Sequence, residues 1–231
     1  MKRFGLFIGG KWVSPSSHKY FPSINPATEK PIAHFASANE HDVKHAIDTA
    51  EAALPKWKRF PAPKRGQILL RFAELLKKNK ESLAKLVSTE MGKVLPEARG
   101  DVQEAIDIAE YMAGEGRRLF GHTTPSELPE KVAFTLRVPL GVCSLITPWN
   151  FPLAIPAWKT MPALVCGNTV VFKPSSDTPM CAARFVELLS EAGVPPGIVN
   201  MVTGSGEEIG KELVSNPNVR GVSFTGQQRD W

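Results

Sequence analysis

From residue 141 onward the chain alternates short apolar runs with helical stretches, and this rhythm constrains its fold more than any other feature. GVCSLIT reads as a buried strand, AIPAWKTMPALVC as a helix and NTVVFKP as a strand. Thr178 to Ala192 reads as a helix closed by Gly193, with Pro195 and Pro196 beyond it. IVNMVTG is the next strand, Glu207 to Val214 a short helix, and VRGVSFTG the last strand. Such alternation predicts a parallel α/β sheet with helices on both faces, in which ligands sit beyond the carboxyl ends of the strands. Those ends are TPWN, KPSS, TGSG and FTG, so any site should be built from them.

The N-terminal half reads differently. LFI and KWV flank Gly9-Gly10, the pattern of a hairpin with a two-residue turn. Val43, Ala46, Ile47, Ala50, Ala53 and Leu54 recur at helical spacing behind Asn39, a candidate N-cap, and Pro55 is expected to close that helix. Three more helical patterns follow, through Leu69 and Phe72, Leu83 and Val87, and Val102 and Ile106, so the first 118 residues are expected to be mainly helical. Val132, Phe134, Leu136 and Val138 alternate with Ala133, Thr135 and Arg137, predicting a half-buried strand.

Composition narrows the function classes. The 231 residues are 42% apolar and 22% charged, as in a globular chain with a sizeable core. No apolar run reaches the roughly 18 residues of a membrane span, and Gly9-Gly10 interrupts the only candidate signal segment, so a cytoplasmic, non-membrane protein is expected. The net charge of +5 is modest, and the basic region from Lys56 to Lys80 reads as solvated helix faces, not a nucleic-acid surface. Cys143, Cys166 and Cys181 form no CxxC pair and sit in apolar company, as structural thiols do. Of the three, Cys181 lies early in a helix, where the macrodipole is expected to lower its pKa slightly. His41 and His45 are one helical turn apart, but HDVKH lacks the zincin glutamate and a third ligand, so no metal site is expected.

Three strand ends could carry chemistry. TGSGEEIGK holds Gly204, Gly206 and Gly210, one residue off both the P-loop and the GxGxxG spacing, so a weak phosphate site and an ordinary tight turn both remain open. In KPSS, Lys173 just past a buried strand could reach ribose hydroxyls or phosphate oxygens. In TPWNFP, Asn150 could aim its carboxamide at a developing oxyanion, or could be present for its turn conformation.

With these residues in view, the chain resembles the aldehyde dehydrogenase superfamily from about Leu6 to Gly226. INPATEKPIA, TEMGKVLPEA, PLGVCSLITPWNFPLAIPAWKTMPALVCGNTVVFKPSSDTP, GVPPGIVNMVTGSG and VRGVSFTG stand in that family's order. The resemblance implies a Rossmann-like cofactor domain without the usual glycine fingerprint, here with helical residues 1–118, an oligomerisation β-hairpin over 119–139, a dinucleotide-binding part over 140–226 and a divergent tail over 227–231. It implies that Asn150 is the oxyanion-hole amide and that Ile146, Thr147, Pro148 and Trp149 line the nicotinamide side. Lys173 would hold the adenosine ribose, Gly204 would lie near the adenine, and Phe224, Thr225 and Gly226 would lead to the pyrophosphate. The implied cofactor is NAD or NADP, the implied substrate an aldehyde oxidised through a cysteine thiohemiacetal, and the implied assembly a homo-oligomer.

Two departures from the pattern modify these expectations. Ser176 stands where the family commonly has a ribose-binding Glu; without that carboxylate, NADP should be tolerated or preferred. The Ser-Asp-Thr-Pro continuation also resembles the branch that oxidises semialdehydes of short dicarboxylic acids. After FTG, Gln227 replaces the family's serine, and the glutamate base and nucleophilic cysteine do not follow. The chain alone is therefore expected to be catalytically incomplete and to bind dinucleotide weakly, with an assembly or regulatory module as the competing reading.

Overall fold

A computed structural model describes residues 2–226. Its strands are β1 (Arg3–Phe4), β2 (Leu6–Ile8), β3 (Lys11–Val13), β4 (Tyr20–Asn25), β5 (Lys30–Ala36), β6 (Thr123–Pro125), β7 (Val132–Phe134), β8 (Val142–Ile146), β9 (Thr169–Lys173), β10 (Val199–Met201) and β11 (Val219–Phe224). The helices are α1 (Glu40–Arg59), α2 (Ala62–Lys78), α3 (Lys80–Met91), α4 (Leu95–Glu115), α5 (Ala154–Val165), α6 (Pro179–Glu191) and α7 (Gly206–Ser215). None of the described helices is long and apolar enough to cross a membrane.

The main sheet runs in the order β11-β8-β9-β10-β2-β3. The first four strands are parallel, as the alternating pattern predicts, and the hairpin β2–β3 extends the sheet antiparallel through Met201 and Phe7. Successive strand side chains point to opposite faces, so a strand covered on both sides must be apolar throughout. In β9, Val170 and Phe172 join the core shared with α2 to α6, whereas Val171 joins the core beneath α1 and α7. That two-sided burial is why these strands read as unbroken apolar runs.

The helix expected to stop at Pro55 continues to Arg59. Pro55 removes one backbone donor, but Trp57, buried and stacked on Phe60 at 5.6 Å, anchors the last turn. The start of α1 is as expected from sequence. Asn39 accepts from the Asp42 amide at 3.1 Å, and the Asp42 carboxylate accepts from the Asn39 amide at 3.1 Å, a reciprocal capping box. Asn39→Ala should therefore cost about 1 kcal/mol, read as a lowered midpoint in urea with an unchanged slope.

One element was not anticipated and one expectation needs correction. Beside the four helices within residues 1–118, β1, β5 and β4 form a separate three-stranded sheet. This small sheet is tied to the end of β10, with the Ala38 amide donating to Thr203 O at 2.8 Å and the Thr203 hydroxyl donating to Ala36 O at 2.6 Å. The alternating segment 132–138 is not half-buried. Only Val132–Phe134 is strand, paired solely with β6, and Val132, Phe134 and Leu136 are 79%, 63% and 74% exposed. A two-stranded ribbon standing off the body has no core to bury either face, so alternation reports the pleat without reporting burial.

Candidate functional site

Strand register creates the site. Ile146 of β8 lies opposite Lys173 of β9 on one side and Phe224 of β11 on the other. Three carboxyl ends thus finish at one level, and the pairing continues one step beyond them: the Thr147 amide donates to Lys173 O and the Thr225 amide to Ile146 O, each at 3.1 Å. Above this rim opens a cavity of about 590 Å³, within the usual range for small-molecule sites. Its walls include Ile146, Thr147, Pro148, Trp149, Lys173, Ser176, Phe224, Thr225 and Gly226. Nine residues singled out from three separate sequence motifs therefore meet around one space.

Gly204 and Asn150 stand just outside that lining. Gly204 buttresses one wall, its carbonyl accepting from the Ser176 hydroxyl at 3.1 Å. Its φ of +152° is open to glycine and strained for other residues. Asn150 lies exposed at the next position after Trp149, on the turn between β8 and α5. Gln227 and the rest of the tail fall outside the described residues.

The N-terminus of α7 meets the same cavity through Ser205 and Gly206, yet its first turn carries Glu207 and Glu208. Those carboxylates already complement the helix dipole and would oppose a phosphate there. Of the off-register glycines of TGSGEEIGK only Gly204 sits against other backbone, since a Cβ at Gly206 or Gly210 would meet nothing within 4 Å, and the cationic group of the cavity wall is Lys173, which is largely buried. Thr147 adds a buried hydroxyl that has no hydrogen-bond partner among the described residues. A ribose or pyrophosphate ligand would meet Lys173, several hydroxyls and glycine backbone, a donor-rich set suited to a dinucleotide.

Sequence reasoning missed several residues that hold the rim in place. Ser37 and Phe21 line the cavity from the small sheet. Glu90, at the end of α3, is buried and accepts from the Ser23 hydroxyl at 2.6 Å and from the Met180 and Cys181 amides at 2.7 Å each. It thus caps α6 from another element. Burial raises its pKa, while the Ser23 hydroxyl and the two amides hold the rise back. Asp101 of α4 does the same for α5, its Oδ1 accepting from the Ala154 amide at 2.7 Å. Burial pushes Asp101 up to about 6, against the opposing pull of that amide and of Lys93.

None of the cysteines is activated. Burial raises Cys143 to about 11 and also raises Cys166. For Cys181 the helix-start expectation is overturned: complete burial, followed by the adjacent Glu90 charge, drives its pKa well up. Among the described residues no cluster of His, Cys, Asp and Glu could hold a metal.

A parallel sheet with helices on both faces and a donor-lined cavity at the carboxyl ends of adjacent strands defines a doubly wound, Rossmann-like α/β protein. Residues 12–229 match the aldehyde dehydrogenase family, and the chain belongs to it. The 2,5-dioxopentanoate dehydrogenase of Saccharolobus solfataricus is 43% identical over 220 residues, covering 95% of this chain and 46% of that protein. A crystal structure described as an E. coli NADP dependent enzyme superposes with a TM-score of 0.95 at 39% identity, over 97% of this chain and 47% of that one. The crystal structure of PnpE in complex with nicotinamide adenine dinucleotide gives a TM-score of 0.94 at 35% identity, over 98% of this chain and 46% of its own. The chain thus spans about half the length of the relatives it matches.

Proposed function

We propose that this chain forms the dinucleotide-binding side of an enzyme that oxidises an aldehyde to a carboxylic acid with NAD or NADP. The observation that carries this reading is the shared level of Ile146, Lys173 and Phe224 beneath the 590 Å³ cavity. Lys173 would hold the adenosine ribose, with Gly204 and Ser176 at the adenine end. Ile146 to Trp149 would face the nicotinamide, and Phe224 to Gly226 would approach the pyrophosphate. When bound, the nicotinamide accepts the hydride. Asn150 would donate its amide to the oxyanion formed when a thiolate attacks the aldehyde.

None of Cys143, Cys166 and Cys181 is set up to supply that thiolate, because burial raises the pKa of each. The purified 231-residue chain is therefore predicted to form no NADH or NADPH when aldehyde is added, and measurable aldehyde-dependent reduction would refute this. For the whole protein, a semialdehyde of a short dicarboxylic acid is the proposed substrate class. Support comes from Ser-Asp-Thr-Pro and from the 2,5-dioxopentanoate dehydrogenase relative.

Cofactor choice rests on Ser176. A hydroxyl there, with Ser37 and Ser205 in the same walls, leaves room and donors for a ribose 2'-phosphate. The one carboxylate residue of that lining, Asp177, is exposed, its Oδ2 accepting from the Ser175 hydroxyl and its amide donating to Ser175 Oγ, each at 3.3 Å. Calorimetric titration should give weak binding that favours NADP over NAD, and Ser176→Glu should lower NADP affinity by roughly ten- to a hundredfold through like-charge repulsion. Binding of NAD alone to the unaltered chain would sink the assignment.

A second reading has its own observation. The ribbon β6–β7 and the strand-like stretch after it expose Val132, Phe134, Leu136, Val138 and Leu140, each more than 60%. So much contiguous apolar surface favours self-association or docking onto another subunit. Sedimentation should give an oligomer, and Phe134→Lys should shift it toward monomer without unfolding the chain.

A further inference from the structure

The turn that carries Asn150 has little packing of its own. Trp149 and Phe151 are 40% and 36% exposed, and Asn150 between them is exposed as well. A carboxamide on such a turn would sample many directions, because fixing an exposed backbone needs partners that outweigh its conformational entropy. Those partners come from the helical layer. Gly92, with φ of +82°, ends α3 and turns the chain so that Lys93 projects toward the turn. The Lys93 ammonium donates to the main-chain carbonyl of Asn150 at 2.7 Å and lies 3.8 Å from the centre of the Phe151 ring. Three residues past Phe151 the backbone is held again, by Asp101 through the Ala154 amide.

We propose that Lys93 is a positioning residue for the Asn150 turn, fixing the 150–151 peptide plane from outside the cavity while Asp101 fixes the turn's exit into α5. The functional meaning of the assignment rests on the dinucleotide reading above. Its physical basis does not. Holding the carbonyl of residue 150 orients the peptide plane that follows Asn150, and with it the direction in which the carboxamide leaves the backbone. The other limb of the turn, Thr147 to Trp149, lines the cavity. Loosening position 150 therefore loosens the wall expected to meet the nicotinamide and leaves the Gly204 and Ser176 end untouched. Lysine suits the place because a compact ammonium can satisfy a carbonyl and an aromatic face together.

The test uses the 231-residue chain as wild type, Lys93→Met and Lys93→Arg. Hydrogen exchange is followed at the Ala154 and Ile155 amides, whose acceptors are Asp101 Oδ1 and Phe151 O. Lys93→Met should speed exchange at these two amides by roughly tenfold, the loss of one charge-assisted hydrogen bond, while amides of the central strands keep their protection. Lys93→Arg should restore most of it. In parallel, NADP affinity should fall several-fold in Lys93→Met, while adenosine 2',5'-bisphosphate, which carries only the adenine end, should bind as to wild type. Unchanged exchange at Ala154 and Ile155 overturns the proposal. So does a uniform rise across the chain, or equal loss of both ligands, since either marks general destabilisation. If neither ligand binds the wild type while the two amides still respond, the dinucleotide reading fails and the positioning role stands.

Discussion

Asp101→Asn should make the chain's stability less dependent on pH, with the variant gaining on the wild type by roughly 2 kcal/mol as pH rises from about 4 to 7. The carboxyl of Asp101 is fully buried, and its pKa goes from an ordinary 3.8 to about 6 in the folded chain. Below pH 3.8 both folded and unfolded forms carry the proton, and the group contributes its full relative stability. Between 3.8 and about 6 the unfolded chain releases the proton while the folded chain keeps it, so stability falls. Above that window both are ionised, and the folded state carries a desolvated charge held only by the Ala154 and Leu153 amides and by the field of Lys93, with Glu104 opposing. Asparagine keeps an acceptor for the Ala154 amide and cannot ionise, so the pH-dependent part disappears. Its amide group replaces Oδ2, which has no partner among the described residues, and that penalty is the same at every pH. The slope of the wild-type minus variant difference is therefore the decisive quantity, measured by urea unfolding at intervals from pH 4 to 7. A difference that stays constant across this range would mean that Asp101 titrates as an ordinary surface carboxylate.

What the sequence made legible and what it hid follow from the same physics. Ile146, Lys173 and Phe224 end apolar runs, and parallel pairing leaves such ends side by side, so the rim of the cavity is legible in the sequence. Asp101, Glu90 and Lys93 could not, because their partners lie 53, 91 and 57 residues away and no local spacing marks a carboxylate that caps another element's helix. The small sheet was hidden because Pro22, Pro31 and His34 break the apolar alternation of β4 and β5. In the ribbon the opposite happened. Alternation through Val132 and Phe134 was plain, but the absence of anything packed on either face is a tertiary property that periodicity does not encode.

Gly204→Ala should destabilise the chain by roughly 2–3 kcal/mol and abolish whatever dinucleotide binding the wild type has. Two independent costs converge at this residue. The backbone sits at φ of +152°, where an L side chain is strained wherever there is space for it. Space is also short, since an added Cβ would stand 3.3 Å from both N and O of Ala38 and 3.5 Å from Ile209 Cδ1. Relief would require Ala38 to move, and Ala38 is bonded to the neighbouring Thr203 carbonyl at 2.8 Å, in the link that also carries Ser37 into the cavity wall. Moving that link shifts Ser37, disturbs the Thr203 hydroxyl on Ala36 O, and turns the Gly204 carbonyl away from Ser176. Stability and ligand geometry are thus coupled here through one peptide, which is not the case at Gly206, where a Cβ meets nothing within 4 Å. Gly206→Ala is the control and should change stability by less than about 1 kcal/mol, in the direction of gain because alanine favours the first turn of α7. Equal urea midpoints for the two variants would remove the claim that TGSG owes its first glycine to the packing of the cavity wall.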